Sequence, residues 1–365
     1  MEDTQMTDDA PNLALETPTS NVFIPPSVHQ DALLRGETFS HYSPVPPSLL
    51  PSTASPSSDT AASAAAPPQG PPCCLGVDEA GRGPVLGPMV YGVFYLPLPL
   101  SDPLLKTAHH FDDSKVLTPA VRSGLMRSLC TAGTDLHSAC GWATASLSAR
   151  DIGAHMLRPS TAAAYNLNAQ AMDATAELIR GVLARGVNVR EIYVDTIGQP
   201  AAYQKRLERL FPTLHITVAK KADSLYPCVS AASVCAKVTR DAALECLYEA
   251  RAAQLGDGGE GEGQEDGAEK DGMAWGSGYP SDARCVGWMR QNMHPVFGWG
   301  PECRFSWGTA KDMLEGKGGV KVDWPMDEEE GTSRMTDFFV DSGSREKDAD
   351  ELGTWFGTPV GLEAF

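Results

Sequence analysis

Apolar positions are unevenly spaced along the chain, and their spacing divides it into elements. The run CCLGV ends at Asp78 and enters a glycine turn, which predicts a short buried strand; Met89 to Leu96 predicts a second. Thr118 with Pro119 behind it is a helix N-cap and first-turn pair, and that helix runs to about Leu129. Gly141 to Leu147 reads as another strand. Between Thr161 and Leu183, the residues Leu167, Ala171, Ala174, Leu178 and Val182 recur at three- and four-residue steps, the signature of one helix face, and Gly186 closes the element. The segment EIYVDT places Ile192 and Val194 on one strand face. Then follow a helix from Ala201 to Leu210, a strand from His215 to Ala219, and a long helix rich in Ala, Ser and Cys from Pro227 to about Gln254. Strands come first and then alternate with helices, so the pattern predicts an α/β chain with a mixed sheet flanked by helices.

The periodic pattern fails in three places. Residues 1–72 are rich in Pro, Ser, Thr and Ala and are expected to form a disordered extension. Residues 256–272, GDGGEGEGQEDGAEKDG, contain almost nothing but Gly and acids and are expected to be a disordered insertion. Residues 312–365 form an acidic tail suited to docking a partner. Within it, Met335, Phe338 and Phe339 have the spacing of a sliding-clamp-binding peptide, with Thr332 where the usual glutamine would sit; two adjacent aromatics could equally dock a partner subunit. A single folded domain is thus expected at 73–311.

With 365 residues and 42% apolar content, the chain can bury a sizeable core. No apolar run is long enough for a membrane span, and the acidic start MEDTQMTDDA lacks the features of a secretory signal, so an intracellular protein is expected. Nine cysteines without a C-x-x-C pair argue against a disulfide framework or zinc ribbon. The net charge of −18 argues against a polyanionic partner until it is divided along the chain. Residues 73–254 carry 16 acids against 18 bases, and 273–311 carry 2 against 4, so the acidity lies in the segments expected to be unfolded. Nucleic acid is therefore permitted.

Candidate chemistry lies at strand ends. Asp78 and Glu79 end an apolar strand before Ala80-Gly81-Arg82-Gly83-Pro84, Asp195 ends another, and Asp223 follows the strand HITVA. Adjacent strand residues point to opposite faces, so Asp78 and Glu79 can share one site only if the chain turns at Glu79. In isolation Asp195 and Asp223 are as well explained by a turn and a helix cap. Three strand ends delivering carboxylates to one sheet edge would form the hard-oxygen cluster that Mg²⁺ or Mn²⁺ prefers. Ser233 and Lys237 are four residues apart where an S-x-x-K hydrolase needs three, so they read as helix-packing positions.

The segments VDEAGRGPVLGPMVYG (77–92), DSKVL (113–117), YNLN (165–168), VNVREIYVDTIG (187–198), KADSLYPCVSAASVCAKVTRD (221–241), GSGYPSD (276–282) and HPVFGWGPECRFSW (294–307) resemble the type 2 ribonuclease H family, ribonuclease HII. Within it they are most similar to the catalytic chains of the eukaryotic heterotrimers. Trp275 stands where that family leads one to expect Tyr.

The resemblance implies a ribonuclease H-like fold with a C-terminal helical extension. It also implies an endonuclease that cuts the RNA strand of RNA/DNA hybrids and the 5′ side of single ribonucleotides in duplex DNA, leaving a 3′-hydroxyl and a 5′-phosphate. By position, Asp78, Glu79, Asp195 and Asp223 look like catalytic ligands of two divalent ions, Mg²⁺ or Mn²⁺. Gly81, Arg82 and Gly83 look like the loop contacting the ribose 2′-hydroxyl, and Tyr279 like the aromatic that stacks on the next deoxyribose. Lys115, Asn166 and Arg240 fit phosphate and strand contacts. Two non-catalytic subunits, and a nuclear role in replication and ribonucleotide repair, are further implications.

Overall fold

The computed structural model describes residues 23–51, 70–111, 117–158, 165–196, 198–255, 273–316, 320, 322–323 and 358–359. In chain order the elements are α1 (Gln30–Leu34), β1 (Phe39–Tyr42), β2 (Cys73–Ala80), β3 (Met89–Pro97), a π-helical segment (Ser101–Ala108), α2 (Pro119–Cys130), α3 (Asp135–Ala139), β4 (Gly141–Leu147), α4 (Ala149–Met156), α5 (Leu167–Ala184), β5 (Val189–Asp195), α6 (Pro200–Leu210), β6 (His215–Ala219), α7 (Pro227–Leu255), α8 (Ala283–Gln291), α9 (Gly308–Leu314) and the short pair β7 (Val322–Asp323) and β8 (Thr358–Pro359).

Six strands form one sheet in the order β1-β4-β3-β2-β5-β6. β1 to β4, β4 to β3 and β3 to β2 pair antiparallel, whereas β2 to β5 and β5 to β6 pair parallel. This is the mixed sheet of the ribonuclease H-like fold. A sheet carrying helices on both faces buries both sets of alternating side chains. One face packs Leu75, Val77, Tyr91 and Val93 against Met172, Leu178 and Ile179 of α5 and Leu207 of α6. The other packs Phe94 and Leu96 against Val229, Ala232 and Val234 of α7. Two strand glycines set the depth of α7: a Cβ on Gly76 would run into the backbone of Cys228, and one on Gly92 into the carbonyl of Ala232. The Ala and Cys positions of α7 are thus packing positions, as their sizes suggest, whereas the buried Ser233 also hydrogen-bonds Asp78. A third cluster joins α7 to the C-terminal helices through Leu244, Trp275, Trp288 and Trp299. Trp275 has no exposed surface and stands edge-on to Trp288 at 5.0 Å, so the departure from the family pattern is a core substitution.

The described elements correct two expectations. The extension expected to be disordered over 1–72 is ordered at 23–51, where α1 and β1 form, β1 pairs with the outer side of β4, and Leu49 is fully buried in the main core. Ser27 Oγ also meets Thr239 Oγ1 of α7 at 2.7 Å. Pro25 and Pro26 part Ile24 from Val28, Pro44, Pro46 and Pro47 part Phe39 from Leu49, and Val28, Leu33 and Phe39 fall at five- and six-residue steps, so these apolar residues carry no local period. They are ordered by contacts made across the fold. The second correction concerns α5, expected from Thr161: it begins at Leu167, because Asn166 takes the N-cap and accepts from the N–H groups of Asn168 and Ala169. Lys115, the insertion at 256–272 and the peptide around Phe338 lie outside the described residues. Among the described residues no helix is long and apolar enough to cross a membrane.

Candidate active site

The parallel pairing of β2 and β5 sets the site. Val77 lies opposite Val194, so Asp78 and Asp195 follow at the same edge of two neighbouring strands. Asp195 Oδ1 accepts from the Ala222 N–H at 2.9 Å, which draws the turn after β6, and Asp223 with it, towards the same edge. Asp78 accepts from the Glu79 N–H at 2.7 Å and hydrogen-bonds Ser233 of α7. β2 runs on through Ala80, and the turn comes at Gly81, whose φ of +77° favours glycine. The expected turn at Glu79 is therefore absent, and Asp78 and Glu79 leave opposite faces of the strand. At the very edge of the sheet both still border one opening.

That opening is a cleft of about 730 Å³ lined by Asp78, Glu79, Gly81, Arg82, Gly83, Asp195, Asp223, Arg240 and Tyr279, joined by Arg122, Lys237 and Asp241. Glu79, Arg82 and Asp195 also wall a smaller pocket of about 290 Å³ on the α5/α6 side, with Asn168, Tyr203 and Arg206. Asn166, spent on its helix cap, is not among the residues lining either; the neighbouring Asn168 instead receives the Arg82 guanidinium. Arg240 is nearly buried and donates to Ser277 O at 2.9 Å while its guanidinium carbon lies 5.7 Å from the Tyr279 ring centre, so it shapes the Tyr279 loop as well as the cleft. The Tyr279 ring also borders Gly83, where an added Cβ would come within 3.2 Å of it.

The sequence reading passes over Arg122 and Lys237 as cleft residues. No local signal marks Arg122. The spacing puts Lys237 on the same helix face as Ser233, four residues earlier, but only the Ser233 contact with Asp78 turns that face to the cleft.

Burial, reinforced by Glu79 and Asp195, holds the Asp78 carboxyl well above the usual range, and the Ser233 hydrogen bond only partly offsets this. Burial likewise pushes Glu79 up to about 7, against the pull of Arg82. Among the described residues no group of three or more His, Cys, Asp or Glu side chains is already gathered to hold a metal ion. The donor chemistry nevertheless fits hard divalent cations. The anionic side chains bordering the cleft, Asp78, Glu79, Asp195, Asp223 and Asp241, are all carboxylates, the hard oxygen donors such cations take.

A sequence model of ribonuclease HII matches residues 75–270. The chain is 61% identical over 344 residues to a ribonuclease H2 subunit of Neurospora crassa, spanning 94% of this chain and 97% of that protein. It is 42% identical over 279 residues to the Homo sapiens protein of the same name, spanning 75% and 84%. The crystal structure of the ribonuclease H2 from Pyrococcus horikoshii aligns with 67% of this chain and 97% of its own, at 25% identity and a TM-score of 0.49.

Proposed function

Because the chain belongs to the ribonuclease HII family, whose members are metal-dependent ribonucleases, we propose that its cleft hydrolyses the RNA strand of RNA/DNA hybrids and cuts 5′ of single ribonucleotides in duplex DNA. One observation carries this reading: four carboxylates, the Gly81–Gly83 loop and Tyr279 border the same cleft. Asp78, Glu79, Asp195 and Asp223 are the residues that would hold two divalent ions, Mg²⁺ or Mn²⁺. Such ions would supply activation of water and stabilisation of the departing 3′-oxygen, chemistry that would leave 3′-hydroxyl and 5′-phosphate ends. The protein's own groups position the strand. The glycine loop brings backbone N–H groups close to the 2′-hydroxyl, the group that separates RNA from DNA. Arg122 and Lys237 add positive charge to a wall otherwise dominated by acids, which suits the phosphate backbone.

The relatives are named as subunits, and on that basis we take this chain as the catalytic member of a multi-subunit enzyme. A heterotrimer with two non-catalytic subunits, a nuclear location, work in ribonucleotide repair and primer removal, and docking of a clamp or a partner chain at residues 332–339 all belong to the same proposal. The test is cleavage of a duplex containing one ribonucleotide, by the isolated chain and by the chain with co-purified partners, in Mg²⁺ and in Mn²⁺. Incision on the 5′ side of the ribonucleotide is expected; a cut in the all-DNA duplex instead would overturn the assignment.

Tyr279 should govern the choice of cutting site. The residue is 38% exposed and lines the cleft, where its ring borders Gly83 and Arg240. Tyr279→Ala should lose stacking worth about 1–3 kcal/mol by analogy with base–aromatic contacts, roughly tenfold to a hundredfold. The loss should fall on the single embedded ribonucleotide more than on a continuous hybrid. Equal loss on both, with a lowered melting temperature, would mean that the ring is structural.

A further inference from the structure

The carbonyls of the Gly81–Gly83 loop are held from behind. Arg304 has no exposed surface, and its guanidinium donates to Gly81 O at 2.6 Å, Arg82 O at 3.0 Å and Gly87 O at 3.1 Å. The indole N–H of Trp307 donates to Gly83 O at 3.0 Å, and its ring centre lies 4.8 Å from the Arg304 guanidinium carbon. Backbone bonds tie the same two segments: the Arg304 N–H donates to Val85 O at 2.9 Å, and Leu86 bridges to Cys303. The three bonds leave three different nitrogens of one planar fork, a spread that the single nitrogen of a lysine does not have.

Peptide geometry converts these bonds into an orientation. The chain has no cis peptide among the described residues, and in a trans unit the N–H points opposite to the C=O. The carbonyl of Gly81 shares its plane with the N–H of Arg82, and the carbonyl of Arg82 shares its plane with the N–H of Gly83. Holding both carbonyls on Arg304 therefore turns those two N–H groups away from it. Neither makes a backbone hydrogen bond among the described residues, and both residues line the cleft. The next plane ends in Pro84, which has no N–H, so Trp307 fixes the direction in which the loop leaves.

Resting on the reading of this loop as the ribose contact, we infer that Arg304 and Trp307 are positioning residues for ribose recognition. They aim the Arg82 and Gly83 N–H groups at the 2′-oxygen and so set the preference for a ribonucleotide over a deoxyribonucleotide. Donors fixed in advance lose no freedom on binding, whereas an untethered glycine loop would have to be ordered by the substrate.

The test uses the full chain with its co-purified partners and two duplexes of one sequence, all-DNA and with a single ribonucleotide. Dissociation constants are measured with Ca²⁺ in place of Mg²⁺, the duplexes being recovered intact. Trp307→Phe keeps a ring beside Arg304 and removes one hydrogen bond, so the preference for the ribonucleotide should fall about threefold to tenfold. Affinity for all-DNA duplex should stay within about twofold and the melting temperature within ~2 °C. Arg304→Lys should lose more of the preference; should that variant not melt cooperatively, Trp307→Phe decides alone. An unchanged preference in Trp307→Phe, or equal weakening on both duplexes, overturns the inference. A parent protein that shows no preference refutes the ribose-contact reading itself, a different failure.

Discussion

Asp78→Asn and Asp195→Asn are each expected to abolish cleavage while leaving hybrid binding in place. The amide keeps the shape and the hydrogen-bond acceptor, so Asp78→Asn still accepts from the Glu79 N–H and Asp195→Asn from the Ala222 N–H. What it loses is the negative charge that would hold a divalent cation. Metal-ion stabilisation of a phosphoryl transfer is worth several kcal/mol, and each ~1.4 kcal/mol is tenfold in rate, so a loss of about a thousandfold or more is expected.

The electrostatics provide a control against misfolding. The Asp78 and Glu79 carboxyls titrate higher in the folded chain than in the unfolded one, so between those values the folded state binds more protons. Stability of the metal-free protein is then fullest below the unfolded values, near 4, and falls as the pH rises, for Glu79 through about 7. Removing the Asp78 charge should remove part of that loss. In EDTA at pH 7.5, Asp78→Asn should therefore melt no lower than the parent while failing to cleave in Mg²⁺. Cleavage is measured beside hybrid binding and melting; near-normal turnover by either Asn variant would sink the assignment of these carboxylates.

Deleting residues 1–51 should destabilise the chain severely, whereas shortening it only to residue 23 leaves every described contact of that segment intact. The longer deletion removes the β1 ladder on β4, the Ser27 to Thr239 bond, and the buried side chains of Val28, Leu33 and Leu49. Burying one such aliphatic side chain is worth about 1.5–3 kcal/mol. Three of them, about 4.5–9 kcal/mol, match the lower half of a typical stability of about 5–15 kcal/mol. The edge of β4 would also be exposed, and unpaired strand edges invite aggregation. Thermal melts of the two truncations beside the full chain are the measurement. An unchanged, cooperative melt for the longer deletion would show that the N-terminal segment contributes nothing to the core.

Much of the core architecture was legible because it repeats. The strand at Gly141–Leu147 forms over those same residues, and the Thr118 cap accepts from the Val121 N–H as a helix start requires. The strand leading to Asp195 ends there with its apolar run, whereas β2 runs two residues past Asp78 to Ala80. α8 and α9, short and without a strong period, could not be placed so readily. The Pro-rich N-terminal segment showed how composition misleads: nothing local orders it, and β4 does.

The site divides in the same way. The sequence by itself determined that Asp78 and Asp195 reach the sheet edge, because an apolar run that stops at an acid delivers that acid there wherever the sheet is placed. Its motifs likewise carried the resemblance to the family. Only the tertiary structure decided that Asn166 is spent on its helix cap while Asn168 meets Arg82, that Arg122 and Lys237 stand in the cleft, and that Arg304 holds the Gly81 carbonyl from 223 positions along the chain. The physical reason is range. Periodicity and capping are written in neighbours a few residues apart, whereas a single hydrogen bond between distant segments leaves no periodic trace in either and exists only once the sheet and α7 have brought them together.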